Sequence, residues 1–156
     1  MKTFIPLVPT LPLFRSVAIA ACGVALAGAA AAQQGPLERA AAQPGAVVTP
    51  SGLVYRSLQE GNGASPAATD TVRVHYRGRF PDGKEFDSSH SRGKPTSFPL
   101  NRVIRCWTEG VQRMKVGGKA ELTCPAAIAY GERGAGGVIQ PNAILAFEVE
   151  LLAIEK

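Results

Sequence analysis

A chain of 156 residues with a formal net charge of +5 is long enough for one domain with a substantial hydrophobic core. Lys2 and Arg15 lie in a leader without acidic residues, so the chain from Gln33 onward has 15 basic against 12 acidic residues, or +3. A charge this small and dispersed argues against a partner that is a nucleic acid. His75 and His90 have no cysteine or carboxylate pattern around them, which argues against a metal site.

Residues 1–32 have the composition of an export signal. Residues 16–28 are uncharged and mostly apolar, and Ala30-Ala31-Ala32 then supplies the small residues that signal peptidase requires. A membrane-spanning anchor would need a longer run of ~20 apolar residues. We therefore expect cleavage of residues 1–32 and export to the periplasm or the medium, without a stable membrane span.

A lipoprotein signal is the alternative for this leader. Ile19-Ala20-Ala21-Cys22 is similar to a lipobox, and processing at this site would anchor the protein through a lipid on Cys22. We favour plain cleavage because Arg15 leaves only six residues before Cys22.

Residues 33–50 are rich in Ala, Gln, Gly and Pro and show no apolar period. This composition predicts a flexible tether, with the folded domain over residues 51–156. The tether offers no helical dimerisation segment, so we expect a monomer.

Strand-like patterns recur through the domain. Val72, Val74 and Tyr76 alternate with polar residues, and Asp82-Gly83 marks a tight turn a few residues later. Further segments of strand-like composition are 53–58, 98–100, 119–124 and 144–154.

One short helix is expected near the only tryptophan. Trp107, Val111 and Met114 recur at i, i+4 and i+7 and so share one helical face. Several strands with one short helix predict an α+β domain, in which an antiparallel sheet packs against the helix.

Five motifs stand in this domain in a fixed order: Val-His-Tyr-Arg-Gly (74–78), Asp-Gly-Lys-Glu-Phe-Asp-Ser-Ser (82–89), Val-Ile-Arg-Cys-Trp-Thr-Glu-Gly (103–110), Ala-Tyr-Gly (129–131) and Ala-Phe-Glu-Val-Glu-Leu (146–151). Together they resemble the FKBP-type peptidyl-prolyl cis-trans isomerases over about residues 51–156. The resemblance implies a half-barrel sheet wrapped around one short helix, with the active pocket between them. It also implies that proline-containing polypeptides are the substrates and that no cofactor is used.

The resemblance assigns residues to this pocket. Trp107 is similar to the family's pocket floor, Asp87 and Tyr130 to its polar rim, and Arg92 to a residue that supports the aspartate. Ile104 would also present its backbone amide. The implied apolar walls and flap are Tyr76, Phe86, Val103, Ile104, Phe147, Val138 and Ile139. The residues implied to act on the rotating bond are Phe86, Asp87, Ile104, Trp107 and Tyr130.

Some positions depart from the family pattern. Thr96 stands where many members place an aromatic residue, Ala135 replaces a common histidine, and Gln140 replaces the first of two prolines in the flap. The loop between Leu100 and Val103 is also short. These changes bear on substrate preference and on the affinity for immunosuppressant macrolides more than on the basic activity.

Rotation of an X–Pro amide must overcome a barrier of ~18–20 kcal/mol and is slow without a catalyst. A rate gain of ~10⁶ requires the barrier to fall by ~8 kcal/mol. No covalent bond breaks, so the site needs only to prefer the twisted amide over the planar forms. The twisted amide is less polar, and an apolar pocket therefore favours it.

Each residue of the implied pocket also has a plain structural interpretation. Trp107, Phe86 and Phe147 would fit a hydrophobic core, Asp87 an ordinary turn, and Tyr130 a buried hydrogen-bonded phenol. A peptide-binding chaperone module that keeps the pocket but turns over poorly is the functional alternative.

The last two cysteines are candidates for a disulfide. After removal of the leader, Cys106 and Cys124 are the only cysteines, and export would place them where disulfides persist. We hypothesise a bond between them, because the helix and the strand that carry them are expected to be neighbours. Two buried free thiols are the alternative.

Overall fold

The structure of the protein is a computed structural model, and it describes residues 34–156. The predicted leader, with its alternative lipidation at Cys22, lies outside the described residues. The strands are β1 (Ala46–Val48), β2 (Val54–Gln59), β3 (Thr71–Arg79), β4 (Glu85–Ser88), β5 (Thr96–Pro99), β6 (Lys119–Cys124) and β7 (Leu145–Glu155). The helices are α1 (Pro36–Ala41) and α2 (Arg105–Val111), with 3-10 turns at Leu100–Arg102 and Ala126–Ile128. Across residues 34–156, no helix has the length and apolar character needed to cross a membrane.

The seven strands form one antiparallel sheet in the order β1-β2-β6-β7-β3-β4, and β5 also pairs with β3. The alternation in β7 is regular: Leu145, Phe147, Val149 and Leu151 are buried, while the residues between them are half-exposed. One face of the sheet therefore carries the core and the other meets solvent. The predicted α+β class is confirmed, and the predicted strand at 119–124 matches β6.

Helix α2 packs on the core face of the sheet. Cys106, Trp107 and Val111 are buried on it, and Met114 continues this face in the turn that follows. Gly110 permits the close approach, because a Cβ there would lie 2.7 Å from the side chain of Leu122 in β6.

A disulfide fixes α2 to the sheet. It joins Cys106 of α2 to Cys124 at the end of β6, with the Cα atoms 5.9 Å apart. Both cysteines are fully buried. The pairing hypothesised from the sequence is the one present in the structure.

The predicted tether over residues 33–50 is wrong for most of its length. Residues 36–41 form α1, and β1 pairs with β2 in the register Ala46 opposite Arg56. A turn joins the two strands, and it is closed by a 2.9 Å hydrogen bond from the Thr49 N–H to the Leu53 carbonyl. A strand of three residues is specified by its partner strand, not by its own pattern, which explains why composition did not reveal it.

Candidate active site

A cavity of about 440 Å³ lies between the core face of the sheet and α2. Cavities of this size hold small ligands and single side chains of a larger ligand. Its walls are formed by Tyr76, Phe86, Asp87, Phe98, Arg102, Val103, Ile104, Trp107, Tyr130 and Phe147.

Aromatic rings stand edge-on around Trp107 at the base of the cavity. The ring centroids of Tyr76, Phe98 and Phe147 lie 5.2, 5.4 and 5.5 Å from that of Trp107, and all three planes are within 10° of perpendicular to the indole. Edge-to-face packing of this kind is favourable and holds each ring in place. The indole N–H of Trp107 is buried and has no acceptor among the described residues.

A glycine makes room for two of these rings. Gly78 of β3 pairs with Asp87 of β4, and a Cβ at Gly78 would lie 2.6 Å from the ring of Phe86 and 3.1 Å from that of Phe147. Only glycine lets both rings cross the strand at this point. The glycine of the Val-His-Tyr-Arg-Gly motif is thus a requirement of the cavity wall.

The polar side of the cavity is a three-residue network. The hydroxyl of Tyr76 donates to Asp87 Oδ2 at 2.5 Å, and Arg92 donates to Asp87 Oδ1 at 2.6 Å. Arg92 also donates to the oxygen of Tyr76 at 2.8 Å. The buried hydroxyl of Ser89 accepts a hydrogen bond from the Tyr76 N–H at 2.9 Å and so fixes the loop that carries Arg92 to β3.

This network sets the protonation states at the cavity. Burial would raise the pKa of Asp87, but the hydrogen bonds from Tyr76 and Arg92 outweigh it and hold this pKa below its usual value. Burial and the Asp87 carboxylate raise the pKa of Tyr76, although Arg92 lowers it in part. Burial and Asp87 also raise the pKa of Tyr130. At neutral pH, Asp87 is therefore ionised and both phenols keep their protons.

Two donors at the cavity have no partner within the part of the chain that the structure describes. The Tyr130 hydroxyl makes no hydrogen bond there, and its residue is 39% exposed. Ile104 precedes α2 and its carbonyl accepts from the Trp107 N–H at 3.0 Å, while its own N–H donates to no described group. Both donors are available to carbonyl groups of a bound ligand.

The structure brings together eight of the predicted pocket residues: Tyr76, Phe86, Asp87, Val103, Ile104, Trp107, Tyr130 and Phe147. Arg92 lies behind Asp87 and off the cavity wall, in the supporting position implied by the family resemblance.

The predicted flap residues do not line the cavity. Val138 is 55% exposed at a loop tip, and Ile139 is buried in the core. The loop folds back on itself through Ala135–Ile139 hydrogen bonds, aided by Gly134, where a Cβ would overlap the Ile139 carbonyl. Neither residue lies in the cavity wall, and their role as the apolar part of a flap stays a prediction.

Two wall residues were missed from the sequence. Phe98 lies opposite Val72 in the β3–β5 pairing and places its ring against Trp107. Phe98 shares a strand face with Thr96, which stands two residues earlier at the position where many family members have an aromatic residue, and this spacing is the sequence signal for Phe98. Arg102 ends the 3-10 turn and is exposed beside the cavity, and no sequence pattern indicated it.

Residues 34–156 contain no group of three or more His, Cys, Asp or Glu side chains that could hold a metal ion. His75 and His90 stack on each other with centroids 4.6 Å apart, and Ser89 hydrogen-bonds to His75.

Comparison with known proteins gives one family. Residues 63–152 match the family model described as FKBP-type peptidyl-prolyl cis-trans isomerase. An FKBP-type peptidyl-prolyl cis-trans isomerase FkpA of Aeromonas hydrophila is 56% identical over 116 residues, which is 74% of this chain and 43% of the relative. The FKBP-type 22 kDa peptidyl-prolyl cis-trans isomerase of Escherichia coli strain K12 is 54% identical over 118 residues, covering 76% and 57%.

The fold comparison agrees. The crystal structure of FkpA from Escherichia coli superposes with a TM-score of 0.74 at 45% identity, covering 76% of this chain and 55% of that one. The chain spans about half the length of the curated relatives it matches.

Proposed function

Because the chain belongs to the FKBP-type peptidyl-prolyl cis-trans isomerase family, we propose that it accelerates rotation about X–Pro bonds in polypeptides. The observation that carries this proposal is the aromatic cavity over Trp107, beside which stand an ionised Asp87 and two donors that have no acceptor within residues 34–156. A proline ring is small, apolar and suited to such a cavity.

The apolar walls would supply the preference for the twisted amide. Bound proline gains about 25 cal/mol for each Å² of apolar surface that it buries. The planar amide is more polar than the twisted one, so leaving water costs the planar form more. This difference favours the transition state over the ground state, which is the condition for catalysis.

The polar groups would orient the substrate. The Ile104 N–H or the Tyr130 hydroxyl would donate to a carbonyl group next to the rotating bond and so fix the orientation of the peptide. Asp87 contributes a fixed negative charge, and Arg92 and Tyr76 keep it ionised and still. Val138, exposed at its loop tip, would contact the peptide beyond the proline.

We propose that the protein is exported, by cleavage of residues 1–32, and assists the folding of other exported proteins. The Cys106–Cys124 disulfide supports an oxidising compartment. The isomerase would act as a monomer without a cofactor, and immunosuppressant macrolides would compete with proline for the same cavity. The alternative to plain cleavage is processing as a lipoprotein, which would anchor the exported protein through a lipid on Cys22.

A protease-coupled assay on a Leu-Pro or Phe-Pro peptide tests the activity. We expect clear acceleration by the parent protein and large losses in Asp87→Ala, Tyr130→Phe and Trp107→Ala. Chaperone activity without any acceleration would instead support a non-catalytic peptide-binding module. Mass spectrometry of the exported protein tests its processing, and a lipid on an N-terminal Cys22 would contradict plain cleavage.

A further inference from the structure

A second cavity of about 410 Å³ lies on the side of the sheet away from Trp107. Its sheet residues include Glu121 and Ala146, which alternate with the buried residues of β6 and β7, and Arg56, which lies opposite Glu121 in the β2–β6 pairing. Helix α1 and the turn between β3 and β4 form its sides. We call this cavity the outer groove, defined by Pro36, Arg39, Arg56, Arg79, Phe80 and Glu121.

The outer groove carries excess positive charge. Three arginines and one glutamate line it, which gives a net charge of +2. Glu121 is occupied by Arg56, whose guanidinium lies 3.0 Å away. Arg39 and Arg79 form no salt bridge within residues 34–156, so both cations are available to a ligand.

The groove also has apolar walls. Phe80, Pro36, Pro81 and Ile144 line it between the arginines. A surface that alternates guanidinium groups with apolar side chains suits a polypeptide with acidic and apolar residues. A nucleic acid would instead require a longer run of basic residues.

The two cavities are close neighbours. The ring of Phe80 in the outer groove lies 4.9 Å, centroid to centroid, from that of Phe86, which lines the Trp107 cavity. One polypeptide could therefore pass over this pair of rings and occupy both cavities.

We propose that the outer groove binds an acidic segment of the client polypeptide whose proline enters the Trp107 cavity. The coupling to a client rests on the proposed isomerase function, whereas binding of an acidic segment to the groove does not. Arg39 and Arg79 pair with the acidic side chains, and Phe80 packs against an apolar one.

The test uses a short proline-free peptide of glutamate and leucine, with the glutamine counterpart as the neutral control. Binding is followed by amide chemical shifts in the 15N-labelled chain. We expect shifts at Phe80 and Ala146 but not at the Trp107 indole, and weaker binding as the salt concentration rises. The Arg39→Gln/Arg79→Gln double variant should bind about fivefold more weakly, as expected for two exposed charge pairs.

An Arg73→Gln/Arg105→Gln double variant is the matched control, since it removes the same charge from exposed residues that line neither cavity. It should bind the acidic peptide as the parent does. Equal binding of the glutamine peptide, unchanged affinity in the Arg39/Arg79 variant, or shifts confined to Trp107 would overturn the proposal.

Isomerisation of a short Leu-Pro peptide separates this proposal from the proposed function. The Arg39/Arg79 variant should match the parent on that substrate, because neither arginine lines the Trp107 cavity. If the parent fails to isomerise it, the isomerase proposal fails, while the titration with the acidic peptide still decides the groove.

Discussion

The phenol of Tyr76 donates a 2.5 Å hydrogen bond to the carboxylate of Asp87, and Arg92 holds both groups from behind. Strand β3 supplies the phenol and β4 the carboxylate, so the pairing of two neighbouring strands builds the charged side of the cavity. The ring of Tyr76 also packs edge-to-face against Trp107 and so forms part of the aromatic wall. The apolar and polar halves of the site are thus held by one side chain.

Replacing Arg92 by Gln should raise the pKa of Asp87. Burial already raises this pKa, and the variant removes one of the two hydrogen bonds that outweigh burial. In the parent, the lowered pKa contributes stability that is present above the ordinary carboxyl value of 3.8 and is lost as the pH falls through the lower folded value. As the pH is lowered, Arg92→Gln should therefore lose its activity at a higher pH than the parent protein does.

Carbon-13 NMR titration of the Asp87 carboxyl measures this shift. Arg73→Gln serves as the control, because Arg73 lies on the same strand as Tyr76 but forms no salt bridge among the described residues. An unchanged Asp87 pKa in Arg92→Gln would contradict the role given to Arg92.

Trp107→Ala should lower the free energy of unfolding by ~3–5 kcal/mol, because it empties a large, closely packed aromatic site. Trp107→Phe should cost much less, since it keeps an aromatic ring and removes an indole N–H that has no acceptor in the described part of the chain. Urea denaturation followed by circular dichroism compares the two variants. Equal losses for both would show that ring packing is not the main contribution.

Reduction of the Cys106–Cys124 disulfide should lower the free energy of unfolding by ~3 kcal/mol, given a sequence separation of 18 residues. Denaturation of the parent with and without a reducing agent measures the loss. A Cys106→Ala/Cys124→Ala variant is the control and should not respond to the reductant. Thiol counting shows whether the parent protein is fully reduced. If the fully reduced protein is as stable as the oxidised one, a stabilising role for the bond is excluded.

Arg102 should favour substrates with an acidic residue next to proline. It lines the Trp107 cavity and forms no salt bridge within residues 34–156, whereas the other nearby cation, Arg92, is paired with Asp87. We expect kcat/KM for a Glu-Pro peptide to exceed that for its Gln-Pro counterpart by about two- to fivefold at low salt. Arg102→Gln should abolish the difference, and Arg105→Gln should leave it unchanged. A preference that survives in Arg102→Gln would refute this assignment.

Elements with a repeating burial pattern could be predicted from the sequence, and those that depend on contacts with a partner strand could not. The alternation at Val72, Val74 and Tyr76 was sufficient to predict β3, because half-buried strands repeat every two residues. Strand β1 was missed because its three residues depend on pairing with β2. Phe98 was overlooked for a similar reason, since its place against Trp107 follows from the β3–β5 register.

The site itself was predictable to the extent that it lies in contiguous motifs. Phe86, Asp87, Ile104 and Trp107 stand in such motifs and meet at the cavity. Val138 and Ile139 belong to a glycine-rich loop, and its backbone turns determine which side chain faces inward. No local pattern specifies those turns, so the inward burial of Ile139 could not be read from the sequence.

Exchange NMR on a Leu-Pro peptide is the most direct measurement of the central claim. With catalytic amounts of the protein, we predict cis–trans exchange cross-peaks that disappear in folded Asp87→Ala, together with nuclear Overhauser contacts between the proline ring and the Trp107 indole. A peptide that contacts Trp107 without faster exchange, or exchanges faster without contacting it, would contradict the account.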